Sequence, residues 1–154
     1  MRKPKNRSFN QLNRVFKEVH GDHNYCTRLA FSVITGKSAG KAIAIAKRYV
    51  DGFQLGEGLH MSQIRDYFEA EYGDGFKIHG GGFNDSAYEG RQFATVAREL
   101  QEAGGRWVIT VANSKNGHAI AIRDGEIVDF TDADSKRKVF AVIQFDNLTE
   151  EDAQ

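Results

Sequence analysis

The sequence predicts a single domain of the α+β class, with helices in its N-terminal part and an antiparallel sheet in its C-terminal part. Helical spacing of apolar residues dominates the first two thirds, whereas β-branched and aromatic runs dominate the last third. Helices that precede strands, rather than alternate with them, indicate an α+β and not a βαβ architecture. The 154 residues form one domain, 1–154, which is long enough to bury its own core.

The predicted helices have apolar residues at three- and four-residue intervals, with turn or capping residues at their ends. They are placed at residues 9–19, 25–34, 39–49, 63–71 and 90–103. Gly36 is expected to end the second helix, because glycine adopts the left-handed conformation of a C-terminal cap at little cost. Ser38 and Ser62 are expected to cap the third and fourth helices at their N-termini.

The predicted strands lack helix breakers and are rich in β-branched and aromatic residues. They are placed at residues 76–79, 106–112, 118–123, 126–130 and 139–145. Tight linkers between some of them indicate antiparallel pairing. Gly80-Gly81-Gly82 lies in a glycine-rich segment that is either a mobile loop over a cleft or a long surface turn.

Composition and charge limit the class of protein. No apolar run approaches the roughly 18 residues that a membrane span needs, and residues 1–14 lack the apolar stretch of a secretory signal, so we expect a cytoplasmic protein. Residues 1–8 are interpreted as a flexible basic arm and residues 147–154 as an acidic tail. The aromatic residues fall in core patterns with few interleaved basic residues, which argues against nucleic acid as the partner.

The only cysteine, Cys26, excludes an internal disulfide and is the first candidate for chemistry. A lone cysteine is most often a core residue. Cys26, however, follows the turn-rich segment 21–24 and begins a predicted apolar helix. The N-terminus of a helix stabilises a thiolate, and the thiolate is the reactive form of cysteine.

His118 is the histidine best placed to act as a base, because it opens a strongly predicted strand. Asp124-Gly125 predicts a type I′ hairpin turn after that strand. Counting outward pairs Arg123 with Glu126 and puts His118 and Asp129 on one face as diagonal neighbours, about 7 Å apart. Asp132 falls on the other face. The alternative is that His118 and Asp129 form an ordinary polar pair on a half-buried sheet.

Two segments carry a resemblance to a known family. Residues 24–37 (NYCTRLAFSVITGK) resemble the nucleophile helix of small papain-like cysteine peptidases, which include short proteins encoded by bacteriophages. Residues 117–129 (GHAIAIRDGEIVD) resemble their histidine hairpin, in which an Asp or Asn follows in the next strand. The chain order, cysteine early and histidine with acid late, also agrees. The resemblance implies a papain-like fold, with N-terminal helices packed on a C-terminal sheet.

The resemblance also implies a mechanism that needs neither cofactor nor metal. Cys26 would attack an acyl carbon, His118 would carry the proton, and Asp129 would orient His118. The backbone N–H of Cys26 would hold the oxyanion together with a side-chain donor. The family usually has a Gln several residues before the cysteine; this chain has none there, and Asn24 is preferred over His23 as the donor. The expected substrate is a protein or peptide, in a host cell's cytoplasm if a phage encodes the chain.

Three alternatives compete with this interpretation. A catalytically inactive papain-like protein could instead bind a host or viral partner. His20, His23 and Cys26 occur at intervals of three, and with Asp22 or His118 they could hold zinc. Residues 36–41 (GKSAGK) resemble a phosphate-binding loop, but the segment is one residue short and no strand precedes it.

Overall fold

The computed structural model describes residues 12–22, 25–111, 118–128 and 137–146. The helices in these ranges are α1 (Val15–Val19), α2 (Cys26–Thr35), α3 (Ala39–Tyr49), α4 (Met61–Tyr72) and α5 (Phe93–Ala103). The strands are β1 (Phe76–Gly80), β2 (Arg106–Val111), β3 (His118–Arg123), β4 (Glu126–Val128) and β5 (Val139–Phe145). They form one sheet in the order β1-β5-β2-β3-β4, and each neighbouring pair is antiparallel. The predicted α+β class is confirmed.

α2 is the central helix of the fold. It begins at Cys26 and ends at Thr35, and every residue after Cys26 is buried. Gly36 closes it in the left-handed conformation (φ 79°), donating its N–H to the Ser32 carbonyl at 2.8 Å. Ser38 then caps α3, where its hydroxyl accepts from the Lys41 N–H at 3.2 Å. These two predicted caps are confirmed, and the GKSAGK segment links α2 to α3 and forms the first turn of α3.

The sheet separates two apolar cores, because successive strand residues point to opposite faces. On one face, Ala119 and Ala121 of β3 lie in the core formed with α2, α3 and α4. On the other face, Ile120 and Ile122 lie in the core formed with α5. Because Ala119 and Ala121 have small side chains, α2 packs closely against this face of β3.

Several predicted boundaries are wrong by one to three residues: α2 begins and ends one residue later than predicted, and α4 ends one residue later, at Tyr72. The predicted Ser62 cap is wrong, because α4 begins at Met61 with His60 as its N-cap. The Gln63 side chain accepts the His60 N–H at 2.8 Å and so fixes the helix start two residues earlier than predicted. α5 begins at Phe93 and not near residue 90, because residues 90–92 instead pair with the chain at the start of β5. β1 continues one residue further than predicted, to Gly80.

The β3–β4 hairpin has the predicted register. Arg123 pairs with Glu126 and Ile122 with Ile127, and the two turn residues Asp124 and Gly125 both have positive φ (53° and 87°), as a type I′ turn requires. The predicted pairs beyond Val128 lie outside the described residues, as do the basic arm 1–8 and the acidic tail 147–154.

Among the helices described, none by itself has the length and apolarity to cross a membrane. α2 and α3, which meet at a bend of 111°, pass the same test only when they are taken together. Since α2 is buried in the core, this bent pair also fits the interior helices of a folded domain.

Candidate functional site

Cys26 occupies the first position of α2. Its backbone N–H is one of the four at a helix N-terminus that have no partner within the helix. The first turn of α2 carries no acidic residue, so nothing in that turn offsets the positive end of the helix dipole. The preceding residue, Tyr25, stacks on Phe16 of the N-terminal segment at a ring distance of 5.5 Å. The helix start therefore suits a thiolate, as the sequence predicts.

The direction of α2 explains why its N-terminus meets the start of β3. The two elements pack side by side. At the far end of β3, Arg123 donates from Nη1 to the Val33 carbonyl near the C-terminus of α2, at 2.8 Å. Because α2 and β3 run in the same direction, the first residue of the helix lies at the first residue of the strand. Cys26 is thereby brought to His118.

The Cys26 sulfur is hydrogen-bonded by several groups around it. Burial alone would raise the pKa of the Cys26 thiol; the His118 side chain, the Ala119 backbone N–H and the positive charge on His118 overcome this effect and lower the pKa below the ordinary thiol value. The Thr27 hydroxyl, 3.9 Å from the sulfur, acts in the same direction. The residue as a whole is partly exposed.

The contact between His118 and Cys26 lies at the N-terminal end of β3. Alternation assigns His118 to the same face as Ile120 and Ile122, which is the α5 face, whereas α2 covers the opposite face with Ala119. We infer that His118 reaches the thiol because it is the first residue of β3. At the end of the strand, its side chain can bend around the edge of the sheet toward the face that α2 covers. Both His118 and Ala119 then contact one sulfur atom.

Two predicted partners are not among the described residues. Asp129, expected to orient His118, and Asn24, expected to donate to the oxyanion, lie outside the described residues, as does the alternative donor His23. Sequence reasoning did not identify the other two groups at the sulfur. No residue pattern predicts that the Ala119 N–H donates to the sulfur, because every residue except proline has a backbone N–H. The Thr27 hydroxyl could have been predicted, since Thr27 directly follows the cysteine.

The remaining histidines in the described part of the chain have other surroundings. The ring of His20 lies near Gly40 at the start of α3, and His60 precedes α4. His79 of β1 is buried between Asp85 and Gln144, with its Nδ1 3.0 Å from Asp85 Oδ2 and its Nε2 2.9 Å from Gln144 Oε1. None of these three histidines is among the groups that act on the thiol.

The same described ranges contain no group of three or more His, Cys, Asp or Glu side chains that could hold a metal ion. Of the three residues in the zinc alternative, His23 is outside those ranges. The groups that hydrogen-bond the Cys26 thiol are the His118 side chain, the Ala119 N–H and the Thr27 hydroxyl.

The glycine-rich segment lies at the same end of the sheet as His118. Gly80 pairs with Ala141 of β5, which pairs with Thr110 of β2, which pairs with Ala119 of β3. After Gly80 the chain turns tightly, and the Phe83 N–H donates to the Gly80 carbonyl at 3.0 Å. Gly80 is required there, because its φ is 95° and a Cβ would lie 2.7 Å from the Phe140 carbonyl oxygen.

Comparison of the chain with known protein families, with curated proteins and with solved structures finds no match.

Proposed function

We propose that the chain is a papain-like cysteine hydrolase that cleaves a peptide or isopeptide bond, with Cys26 as nucleophile and His118 as general base and acid. One observation carries the proposal: the Cys26 thiol stands at the N-terminus of a buried helix, and its pKa is lowered by hydrogen bonds from His118 and the Ala119 N–H. Structural cysteines in a core lack such partners, whereas nucleophilic ones need them.

In the first half of the reaction, the thiolate of Cys26 bonds to the carbonyl carbon of the substrate, and the carbonyl electrons move onto the oxygen. The Cys26 N–H, which has no partner within the helix, is a donor for that oxyanion, with Asn24 as the proposed second donor. The intermediate collapses, the C–N bond breaks, and His118 gives its proton to the leaving amine. A thioester between Cys26 and the acyl group remains.

In the second half, His118 accepts a proton from water as the water oxygen attacks the thioester carbon. The C–S bond breaks, the acid product leaves, and the thiolate of Cys26 is restored beside protonated His118. Asp129 is proposed to hold His118 in the tautomer and orientation that both halves require.

A mechanism-based probe tests this proposal directly. We expect the purified protein to form a single covalent adduct at Cys26 with a peptidyl vinyl sulfone, detected by intact mass, and to cleave members of a peptide library in a way that Cys26→Ala does not. Tandem mass spectrometry of the library before and after incubation identifies the cleaved bonds. Absence of both adduct and cleavage would contradict the proposal and favour an inactive binding protein on the same fold.

A further inference from the structure

Asp22 and Arg28 form an ion pair inside the protein, next to the candidate site. Arg28 Nε lies 2.8 Å from Asp22 Oδ2, and Arg28 Nη2 lies 2.7 Å from Asp22 Oδ1. Both side chains are fully buried. The two parallel hydrogen bonds fix the relative orientation of the two side chains, which a single contact would leave free to turn.

The ion pair joins three segments of the chain. The Asp22 N–H donates to the Phe16 carbonyl at 2.9 Å, which ties the residue to the N-terminal segment. Asp22 Oδ1 also accepts from the Gly56 N–H at 3.0 Å, and the Phe53 ring lies 4.9 Å from the Arg28 guanidinium carbon. The loop between α3 and α4 is therefore anchored to the same pair of charges.

The ion pair brackets the nucleophile along the chain. Asp22 lies four residues before Cys26 and Arg28 two residues after it. The residue between the turn and the helix, Tyr25, is in turn held by its near-parallel stack on Phe16, with planes 4° apart. The backbone at Cys26 is thus restrained on both sides by one buried unit.

Stability alone is a poor explanation for this ion pair. Removing two charges from water costs desolvation free energy, which offsets much of the attraction between them. Apolar side chains of similar size often stabilise a core equally well or better. What a bidentate buried pair does supply is one defined geometry. Cys26 needs such a geometry, because a displaced sulfur would lose its hydrogen bonds to His118 and Ala119.

We propose that Asp22 and Arg28 are positioning residues that hold Cys26 at the start of α2 against His118. This inference rests on the proposed function, since it assigns the pair a role in making the thiol reactive. The ion pair acts through the backbone and through the loop carrying Phe53 and Gly56; its role is to fix where the sulfur stands.

The test compares the pH dependence of Cys26 alkylation by iodoacetamide in Arg28→Lys and Asp22→Asn with that of the unaltered protein. We expect the midpoint to rise by about one pH unit in each variant, which slows alkylation at pH 6.5 by roughly tenfold. Arg106→Lys is the matched control, because Arg106 is also buried and donates to the Ile34 carbonyl (3.1 Å) at the other end of α2. Its midpoint should stay at that of the unaltered protein, even if its melting temperature falls.

The outcomes separate this inference from the proposed function. Folded Arg28→Lys and Asp22→Asn variants with an unchanged midpoint would overturn the inference and leave the proposed function intact. If both variants fail to fold, Phe53→Leu removes the ring contact with Arg28 without removing a charge; it must raise the midpoint, and an unchanged value overturns the inference. An ordinary thiol midpoint in the unaltered protein would instead contradict the proposed function.

Discussion

Two histidines of the sheet have opposite surroundings. His79, on edge strand β1, is buried and has hydrogen-bonding partners at both ring nitrogens, Asp85 at Nδ1 and Gln144 at Nε2. His118, the first residue of β3, directs its side chain to the sulfur of Cys26. His79 connects two polar side chains at the edge of the sheet, whereas His118 faces a candidate nucleophile.

The difference shows that a carboxylate beside a histidine does not define a catalytic site. The pKa of Asp85 is lowered by the Ala87 N–H and by His79, so Asp85 is a firm acceptor for the ring. His79 still has no free nitrogen with which to take a proton from a substrate. What distinguishes His118 is the group that it faces, and substitutions at both histidines and at their partners test this contrast.

The largest effect is expected from removing the sulfur. Cys26→Ala should abolish adduct formation with a peptidyl vinyl sulfone and lower the hydrolysis rate by at least on the order of 10³-fold, because it removes the atom that the proposed mechanism bonds to the substrate. Intact mass and a fluorogenic peptide chosen from the library measure the two effects. Since the side chain is small and partly exposed, circular dichroism should be unchanged; hydrolysis at the original rate would contradict the assignment.

The next largest effect should come from the histidine that faces the sulfur. We expect His118→Ala to lower kcat/KM by roughly 10²- to 10⁴-fold, since it removes the group that moves the proton in both halves of the reaction. His79→Ala, measured with the same peptide, is the matched control and should change kcat/KM by less than about threefold, because distant sites act independently. Equal losses in both variants would show that the contrast between the histidines is wrong.

A smaller loss is expected from the proposed orienting carboxylate. Asp129→Asn should lower kcat by roughly 10- to 100-fold with little change in KM, because the amide still accepts a hydrogen bond but no longer stabilises protonated His118. Asp132→Asn is the matched control, since the predicted register puts Asp132 on the other face of the hairpin. If the two substitutions have the same effect, Asp129 is not the partner of His118.

The smallest effect on reactivity, and a measurable one on stability, should follow from His79→Ala. The substitution removes a buried ring and the hydrogen bond that it makes to Gln144, so we expect the free energy of unfolding in urea to fall by about 1–3 kcal/mol. The midpoint of Cys26 alkylation should not move. An unchanged free energy of unfolding would contradict the structural role of His79.

Strong local signals made part of the fold and site predictable. The glycine cap fixed the end of α2, and the Asp124-Gly125 turn fixed the β3–β4 register, because each depends on residues adjacent in the chain. The meeting of Cys26 and His118 was inferred from the same two elements. The α1 segment was predicted as an ordinary helix, yet Val15–Val19 has π-type hydrogen bonding, which apolar spacing does not reveal.

Other features depend on contacts between distant segments and left no pattern. Asp22 and Arg28 are six residues apart, a spacing that matches no helix face, and Asp22 also needs Gly56 from a loop 34 residues away. The Ala119 N–H likewise reaches the sulfur only because α2 packs on β3 in the same direction, start beside start. Such groups are found only when the packing of the elements is known.

The most direct test of the central claim is the pH dependence of the rate at which iodoacetamide alkylates Cys26, measured in the unaltered protein and in His118→Ala. The contact with His118 predicts a midpoint below the ordinary thiol value of about 8.5 in the unaltered protein, and a higher midpoint in the variant, where burial still opposes ionisation. The same curve for both proteins, with the midpoint of an ordinary thiol, would contradict the claim that His118 activates Cys26.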